Sequence, residues 1–329
     1  MNWTAILDRA RRGEGITEAE AHAVVALSEP DELEALFAVA DEVRQHHKGQ
    51  LVNTCGISNA KSGRCPEKCS FCSQSAYFET SAPKYAFKDV EELASEARAA
   101  KEAGVREFSI VASGRQVSRE DELQTLETAF QRIRKETGMM TCASLGLMSK
   151  DHLARLQAAG MDSMHHNLET AKSFHAEIVD THTWDDEAET VRAAKELGMY
   201  VCSGGIFGMG ETWAQRVELA MQLRELDVDS VPVNFLDPRP GTPLADKHDL
   251  TPEDCLKIIA LLRLTLPDRE VIVCGGREKN LQDRQKDMFK AGANGLMMGN
   301  YLTTPGTDTN SDRAMLTELG LEIRPAPHA

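Results

Sequence analysis

Along the chain, short β-branched runs alternate with stretches of helical periodicity, and this alternation leaves few folds open. The strand-like runs are 51–57, 106–112, 139–145, 162–168, 198–207, 229–235, 270–273 and 295–298. Between them lie helix patterns at 90–103, 120–137, 149–159, 185–197, 212–226, 251–264 and 281–291. Gly104, Gly160, Gly198 and Gly292 close several of these helices in Ala-Gly or Leu-Gly pairs, as helix stops do. Parallel strands joined by crossover helices fit this order, so the expected fold is α/β, a (β/α)8 barrel of the TIM type. Residues 1–50 fall outside the repeat and read as two or three polar-faced helices, an N-terminal extension closing the bottom of the barrel. Residues 51–329 are expected to form the barrel domain, with a tail after Thr303.

A barrel of this kind carries its chemistry at the carboxyl ends of its strands. Behind the first strand, the polar loop Asn59 to Gly63 leads into Arg64-Cys65-Pro66-Glu67-Lys68-Cys69-Ser70-Phe71-Cys72. The C-x3-C-x2-C spacing of Cys65, Cys69 and Cys72 fits three corners of a 4Fe-4S cube and leaves one iron open to an outside ligand. A structural zinc site prefers four ligands in paired clusters, and no partner C-x-x-C or H-x-x-x-H pair follows. Eight cysteines in 329 residues are too sparse for a disulfide framework.

Three more cysteines, Cys142, Cys202 and Cys274, fall on the third, fifth and seventh strands. Alternate strands feed the same interior layer of a barrel, so these thiols are placed to hold a second metal centre. For any one of them packing is the plain alternative, since free cysteine is among the most buried residue types. Their shared strand phase beside the cluster motif favours ligation. Cys55 in the first strand and Cys255 at a helix start are left as core or surface thiols.

Net charge of −15 argues against a nucleic-acid partner, and an aromatic content of 5% gives base stacking little support. No run approaches eighteen apolar residues, which argues against a membrane span. Residues 1–13 mix Asp8 with Arg9, Arg11 and Arg12 and do not read as a signal peptide. The expected location is the cytoplasm, where thiols stay reduced.

The cysteine motif, with Phe71 before its last cysteine, resembles that of the radical S-adenosylmethionine enzymes. Later segments narrow the resemblance to the biotin synthase family. They are Asn167-Leu168-Glu169-Thr170 after His166, Cys202-Ser203-Gly204-Gly205-Ile206 with Gly208-Met209-Gly210-Glu211, Ser230-Val231-Pro232-Val233-Asn234, Gly241-Thr242-Pro243-Leu244 and Leu302-Thr303-Thr304-Pro305. The resemblance runs from about residue 50 to 320.

The resemblance implies a 4Fe-4S cluster on Cys65, Cys69 and Cys72 whose open iron binds S-adenosylmethionine. One-electron reduction then cleaves the sulfonium to methionine and a 5'-deoxyadenosyl radical. That radical takes hydrogen from dethiobiotin, and sulfide from an auxiliary iron-sulfur cluster closes the thiophane ring. By the same resemblance, Asn167 bridges cofactor and substrate, Glu169 holds the ribose hydroxyls, and Phe71, Ile206 and Gly208 lie at the cofactor. Asn234 meets the substrate, and Thr303 and Thr304 hold its carboxylate. Reduced flavodoxin or ferredoxin as electron donor, a sulfur-donating cluster assembly system and a homodimer are implied as well. Plain alternatives are that Asn167 and Glu169 cap the next helix and that Thr303 and Thr304 form a turn. Other functions compatible with the motif are a different radical enzyme of the same subfamily and a non-catalytic iron-sulfur redox sensor.

One departure touches the sulfur chemistry. Well-known members hold a 2Fe-2S auxiliary cluster with three cysteines and an arginine, whereas here those second- and seventh-strand positions are Ser109 and Ile272. Cys142, Cys202 and Cys274 make three thiolates without the arginine, which fits a four-iron cube with an extra sulfide on its unique iron better than 2Fe-2S. Ser109 is the weaker candidate ligand.

Overall fold

The computed structural model describes residues 1–328. The strands are β1 (Leu51–Lys61), β2 (Glu107–Ala112), β3 (Met140–Ser144), β4 (Ser163–His165), β5 (Tyr200–Cys202), β6 (Gly205–Phe207), β7 (Ser230–Phe235), β8 (Glu270–Val273), β9 (Gly295–Met297) and β10 (Glu322–Ile323). All pair in parallel, and β9 pairs back onto β1, so the sheet closes into the expected barrel. β5 and β6 are two halves of one stave, both paired with β7, which leaves eight staves. β10 extends the start of β1, with Leu51 opposite Glu322.

The surrounding helices are α1 (Trp3–Ala10), α2 (Glu18–Val25), α3 (Pro30–Lys48), α4 (Val90–Glu102), α5 (Glu120–Thr137), α6 (Lys150–Ala158), α7 (Lys172–Ile178), α8 (Trp184–Glu196), α9 (Trp213–Glu225), α10 (Pro252–Thr265), α11 (Arg277–Leu281), α12 (Asp287–Lys290) and α13 (Thr309–Glu318). Reciprocal capping boxes start several of them: Asp89 with Glu92, Thr183 with Asp186, Thr212 with Gln215, and Thr251 with Asp254. Each satisfies two backbone N–H groups that the first turn would otherwise leave bare, a contribution of about 1 kcal/mol. The continuous pattern at 281–291 is instead broken into α11, a 3-10 turn and α12, because Gln282 adopts a left-handed φ of 52°. Among the described residues no helix is long and apolar enough to cross a membrane.

Strand alternation separates two environments. Phe108, Ile110, Ala143, Met164, Val201, Val231, Val233, Val271 and Val273 point outward into the main apolar core beneath the helices. The opposite face is thiol and hydroxyl: Cys142 lies 3.5 Å from Ser163, and Cys202 lies 3.5 Å from Ser230. Ile272, Cys274 and Met297 form a separate interior cluster with Cys55, Ile57 and Tyr301.

The amino-terminal helices pack on α9, α10 and α12, and Lys48 at the end of α3 reaches Glu270 at the start of β8, 2.8 Å away. Nearby, Arg263 of α10 is fully buried and donates to the carbonyls of Gly292 (2.8 Å), Pro267 (3.0 Å) and Arg269 (2.6 Å) and to Asn294 Oδ1 (2.7 Å). Arg263→Met would strand these acceptors, so denaturant titration should show a loss of about 3 kcal/mol or more.

Candidate active site

The loop after β1 is folded by its own backbone. Cys65 N–H donates to Gln74 O (3.1 Å), Ala76 N–H to Cys65 O (2.8 Å), and Cys72 N–H to Cys69 O (2.9 Å). The Gln74 side chain pins the base of the loop, its Oε1 accepting from Ser62 Oγ (3.0 Å) and Gly63 N–H (3.3 Å). The resulting turns bring Cys65, Cys69 and Cys72 to the wall of one cavity of about 170 Å³ at the carboxyl end of the barrel. Burial pushes the Cys69 thiol far above its ordinary range, with Cys72 adding to it, and burial pushes Cys72 up to about 11. Three clustered thiols held neutral by burial are a donor set that a metal would ionise, so these residues fit an iron-sulfur cluster.

A buried acid and imidazole chain lies against the same cavity. Glu67, inside the cysteine motif, accepts from Thr181 Oγ1 and from His182 Nδ1, each at 2.5 Å. His182 Nε2 meets Glu187 Oε1 at 2.6 Å, and Glu187 also contacts His166. Burial alone would lower the His182 value, but Glu187 and Glu67 outweigh it and raise it to about 9. The charged ring thereby ties α8 to the cysteine loop. Because the folded value is raised above the ordinary 6.5, this contribution is complete below pH 6.5 and is lost as pH rises through 9. Thermal melts of the metal-free protein should fall over that window, with ~3 kcal/mol at stake, and His182→Gln should flatten the fall. Sequence reasoning missed this chain, for which only the position of Glu67 within the motif gave a signal.

A second cavity of about 300 Å³ adjoins the first, and the two share Phe71, Cys72, Gln74, Ser144, Asn167 and Glu169. Ile206, Asn234, Thr303 and Thr304 line the larger one, whereas Gly208 lines neither. Gly208 instead donates its N–H to Glu211 Oε1 at 2.8 Å. Asn167 Oδ1 accepts from Gly204 N–H at 3.2 Å, which fixes the amide against the stave formed by β5 and β6. Glu169 carries a left-handed φ of 58°, and its carbonyl accepts Ile206 N–H at 2.8 Å. Burial, with the charge of Glu187 next, raises its carboxyl to about 7. Neither residue caps a helix, since α7 begins after Ala171 with no side-chain cap. Thr303 Oγ1 lies 3.1 Å from Ser73 Oγ, which ties Thr303 to the cysteine loop, while Tyr301 N–H donates to Thr304 O at 2.9 Å within the turn that carries both threonines. Asn234 clamps two staves, accepting from Gly275 N–H (3.0 Å) and donating to Gly205 O (3.3 Å). His165 and Arg239, not singled out from the sequence, also line this cavity.

The remaining cysteines lie deeper. From Cys142 the register passes to Ser163 and Tyr200, and two residues up the strand stands Cys202. From Cys202 it passes to Ser230 and Glu270, and two residues up stands Ile272, not Cys274. The three thiols are therefore not one layer, because the barrel staggers by one residue per strand. Cys274 follows β8 one layer nearer the carboxyl end, its N–H donating to Val233 O at 2.8 Å. Ile57 and Met297, which share its interior cluster, line the larger cavity, so the thiols lie directly beneath that cavity. All three are buried, and beside Cys142 the Ser109 Oγ is buried without a partner. Buried free thiols, held only by long contacts of 3.5 Å and joined by an orphaned hydroxyl, fit a metal centre better than packing alone.

Comparisons with known proteins place the chain by family and fold. A family model for the radical SAM superfamily matches residues 60–223, and one for the biotin and thiamin synthesis associated domain matches residues 232–322. A biotin synthase of Anaeromyxobacter dehalogenans is 52% identical over 313 residues, spanning 95% of this chain and 87% of that protein. A biotin synthase of Geobacter sulfurreducens is 50% identical over 320 residues, 97% of each chain. Among solved structures, methylornithine synthase superposes with a TM-score of 0.85 at 22% identity over 97% of both chains, a likeness of fold. A maturase of the FeFe-hydrogenase gives 0.82 at 16% identity, over 97% of this chain and 74% of that one. With half its residues shared across nearly its whole length, the chain belongs to the biotin synthase family of radical SAM enzymes.

Proposed function

We propose that this protein converts dethiobiotin to biotin, with S-adenosylmethionine at Cys65, Cys69 and Cys72 and substrate in the larger cavity. The observation that carries this reading is the shared wall: Phe71, Asn167 and Glu169 face both the cysteine-lined cavity and the larger one above the buried thiols. A radical made in the first cavity then has one short path to a substrate in the second, and position supplies the selectivity. Bound at the first trio, a 4Fe-4S cluster with the sulfonium cofactor supplies a carbon radical strong enough to take hydrogen from an unactivated C–H bond.

The chain's own residues orient the partners. Asn167 is held by Gly204 and offers its amide between the two cavities. Glu169 accepts from the ribose hydroxyls as the carboxylate, which burial, by raising its value to about 7, restricts to pH above that value. Phe71 and Ile206 supply apolar contact for the cofactor, with Gly208 in the turn behind. Asn234 contacts the substrate, while Thr303 and Thr304 donate to its carboxylate. Cys142, Cys202 and Cys274 hold a four-iron auxiliary centre that carries an extra sulfide for the product, in place of a 2Fe-2S centre. Residues 1–50 brace the amino end of the barrel as a separate helical extension. Reduced flavodoxin or ferredoxin, a sulfur-donating assembly system, a homodimeric state and a cytoplasmic location complete the reading.

The test is an anaerobic single turnover with dithionite, S-adenosylmethionine and dethiobiotin. Deoxyadenosine together with biotin is expected. Deoxyadenosine without biotin would point to another radical substrate, and failure to cleave the cofactor would leave a non-catalytic iron-sulfur protein.

A further inference from the structure

We propose that Cys55 is the fourth thiolate of the auxiliary centre, closing from β1 the ring that Cys142, Cys202 and Cys274 begin. The proposal rests on the reading that those three hold an iron-sulfur cluster.

An eight-stranded barrel fills each interior layer with four side chains drawn from alternate strands. From Ile272 the register passes through Gly295 to Asn53, and two residues up β1 stands Cys55. From Cys55 it passes through Glu107 to Met140, and two residues up β3 stands Cys142. One complete layer is therefore Cys55, Cys142, Cys202 and Ile272, and Cys274 is the next inward residue above the isoleucine. The Cys55 thiol lies beside that of Cys274 within the small interior cluster. Cys202 in turn lies within electrostatic reach of both Cys142 and Cys55. Cys55 thus joins Cys274 to the thiols of β3 and β5. It is only half-buried and shares the inward face of Ile57, which lines the larger cavity, so its thiol packs in the interior cluster just below that cavity.

Ser109 is the rival, with its orphaned hydroxyl in register with both Ile57 and Cys142. A thiolate is the softer donor and binds iron in clusters, whereas a serine hydroxyl must give up a far less acidic proton. The extra sulfide and Cys55 address the same iron, so loading is an exchange. Hydrosulfide loaded there would take the place of Cys55, which would accept the second proton of the incoming hydrogen sulfide and leave as a neutral thiol, with no change of oxidation state.

The test uses the full chain carrying Cys65→Ala, Cys69→Ala and Cys72→Ala, so that only the auxiliary centre is seen. It is reconstituted with iron and sulfide, freed of excess sulfide, and followed by iron counting, Mössbauer and EPR spectra. With Cys55 intact, about four irons are expected, all in sulfur coordination. Cys55→Ala should drop the count to about three, with the EPR signal of a 3Fe-4S centre. Cys55→Ser, nearly isosteric, should keep the fourth iron but give it the larger isomer shift of an oxygen ligand, a change that misfolding would not produce. Ser109→Ala should match the parent. Parent-like spectra for both Cys55 variants, or iron loss from Ser109→Ala instead, would overturn the assignment of Cys55 and leave the three-cysteine centre standing. A parent with only two irons or none would overturn the auxiliary reading itself, and Cys55 with it.

Discussion

Cys202→Ala is expected to abolish biotin formation, by at least about 10³-fold, while reductive cleavage of S-adenosylmethionine continues. The thiol is buried in the barrel interior beneath the larger cavity and lies outside the loop that carries the first trio. Removing it takes a ligand from the proposed sulfur-bearing centre and leaves Cys65, Cys69 and Cys72 in place. Iron should fall below about eight per chain, with about four retained on the first trio, and deoxyadenosine should still form with dethiobiotin present. A variant that still makes biotin in a single turnover, or a parent showing only a 2Fe-2S Mössbauer signature beside the first cluster, would remove the four-iron auxiliary centre from the account.

The reverse dissection is Cys69→Ala. It should eliminate both deoxyadenosine and biotin, again by at least about 10³-fold, because the radical is never made. The auxiliary irons should remain, about four per chain, since Cys142, Cys202 and Cys274 stand on β3, on β5 and just after β8 rather than in the cysteine loop. Cleavage of the cofactor by Cys69→Ala would show that the first trio does not hold the cluster that reduces it.

The barrel was legible because its signals are local. Each β-branched run and each periodic helix declares itself within about a dozen residues. Boundaries were less legible where one side chain decides them. The fourth strand narrows to Ser163–His165, ahead of the left-handed turn at Glu169, and the last helix pattern breaks at Gln282. Chemistry followed the same division. Cys65, Cys69 and Cys72 stand within one loop, so their spacing reports their convergence. The chain from Glu67 through His182 to Glu187 joins segments more than a hundred residues apart, and no spacing rule reports it.

By itself the sequence determined a parallel barrel, a cluster-binding loop at the end of its first strand and a second set of thiols on alternate strands. Which thiols stand together only the tertiary structure decided. Barrel closure staggers neighbouring strands by one residue, and that stagger puts Cys55 level with Cys142 and Cys202 while lifting Cys274 one layer above them. Register is set by packing among distant strands, so residues 55, 142, 202 and 274 acquire their geometry only when the sheet closes on itself.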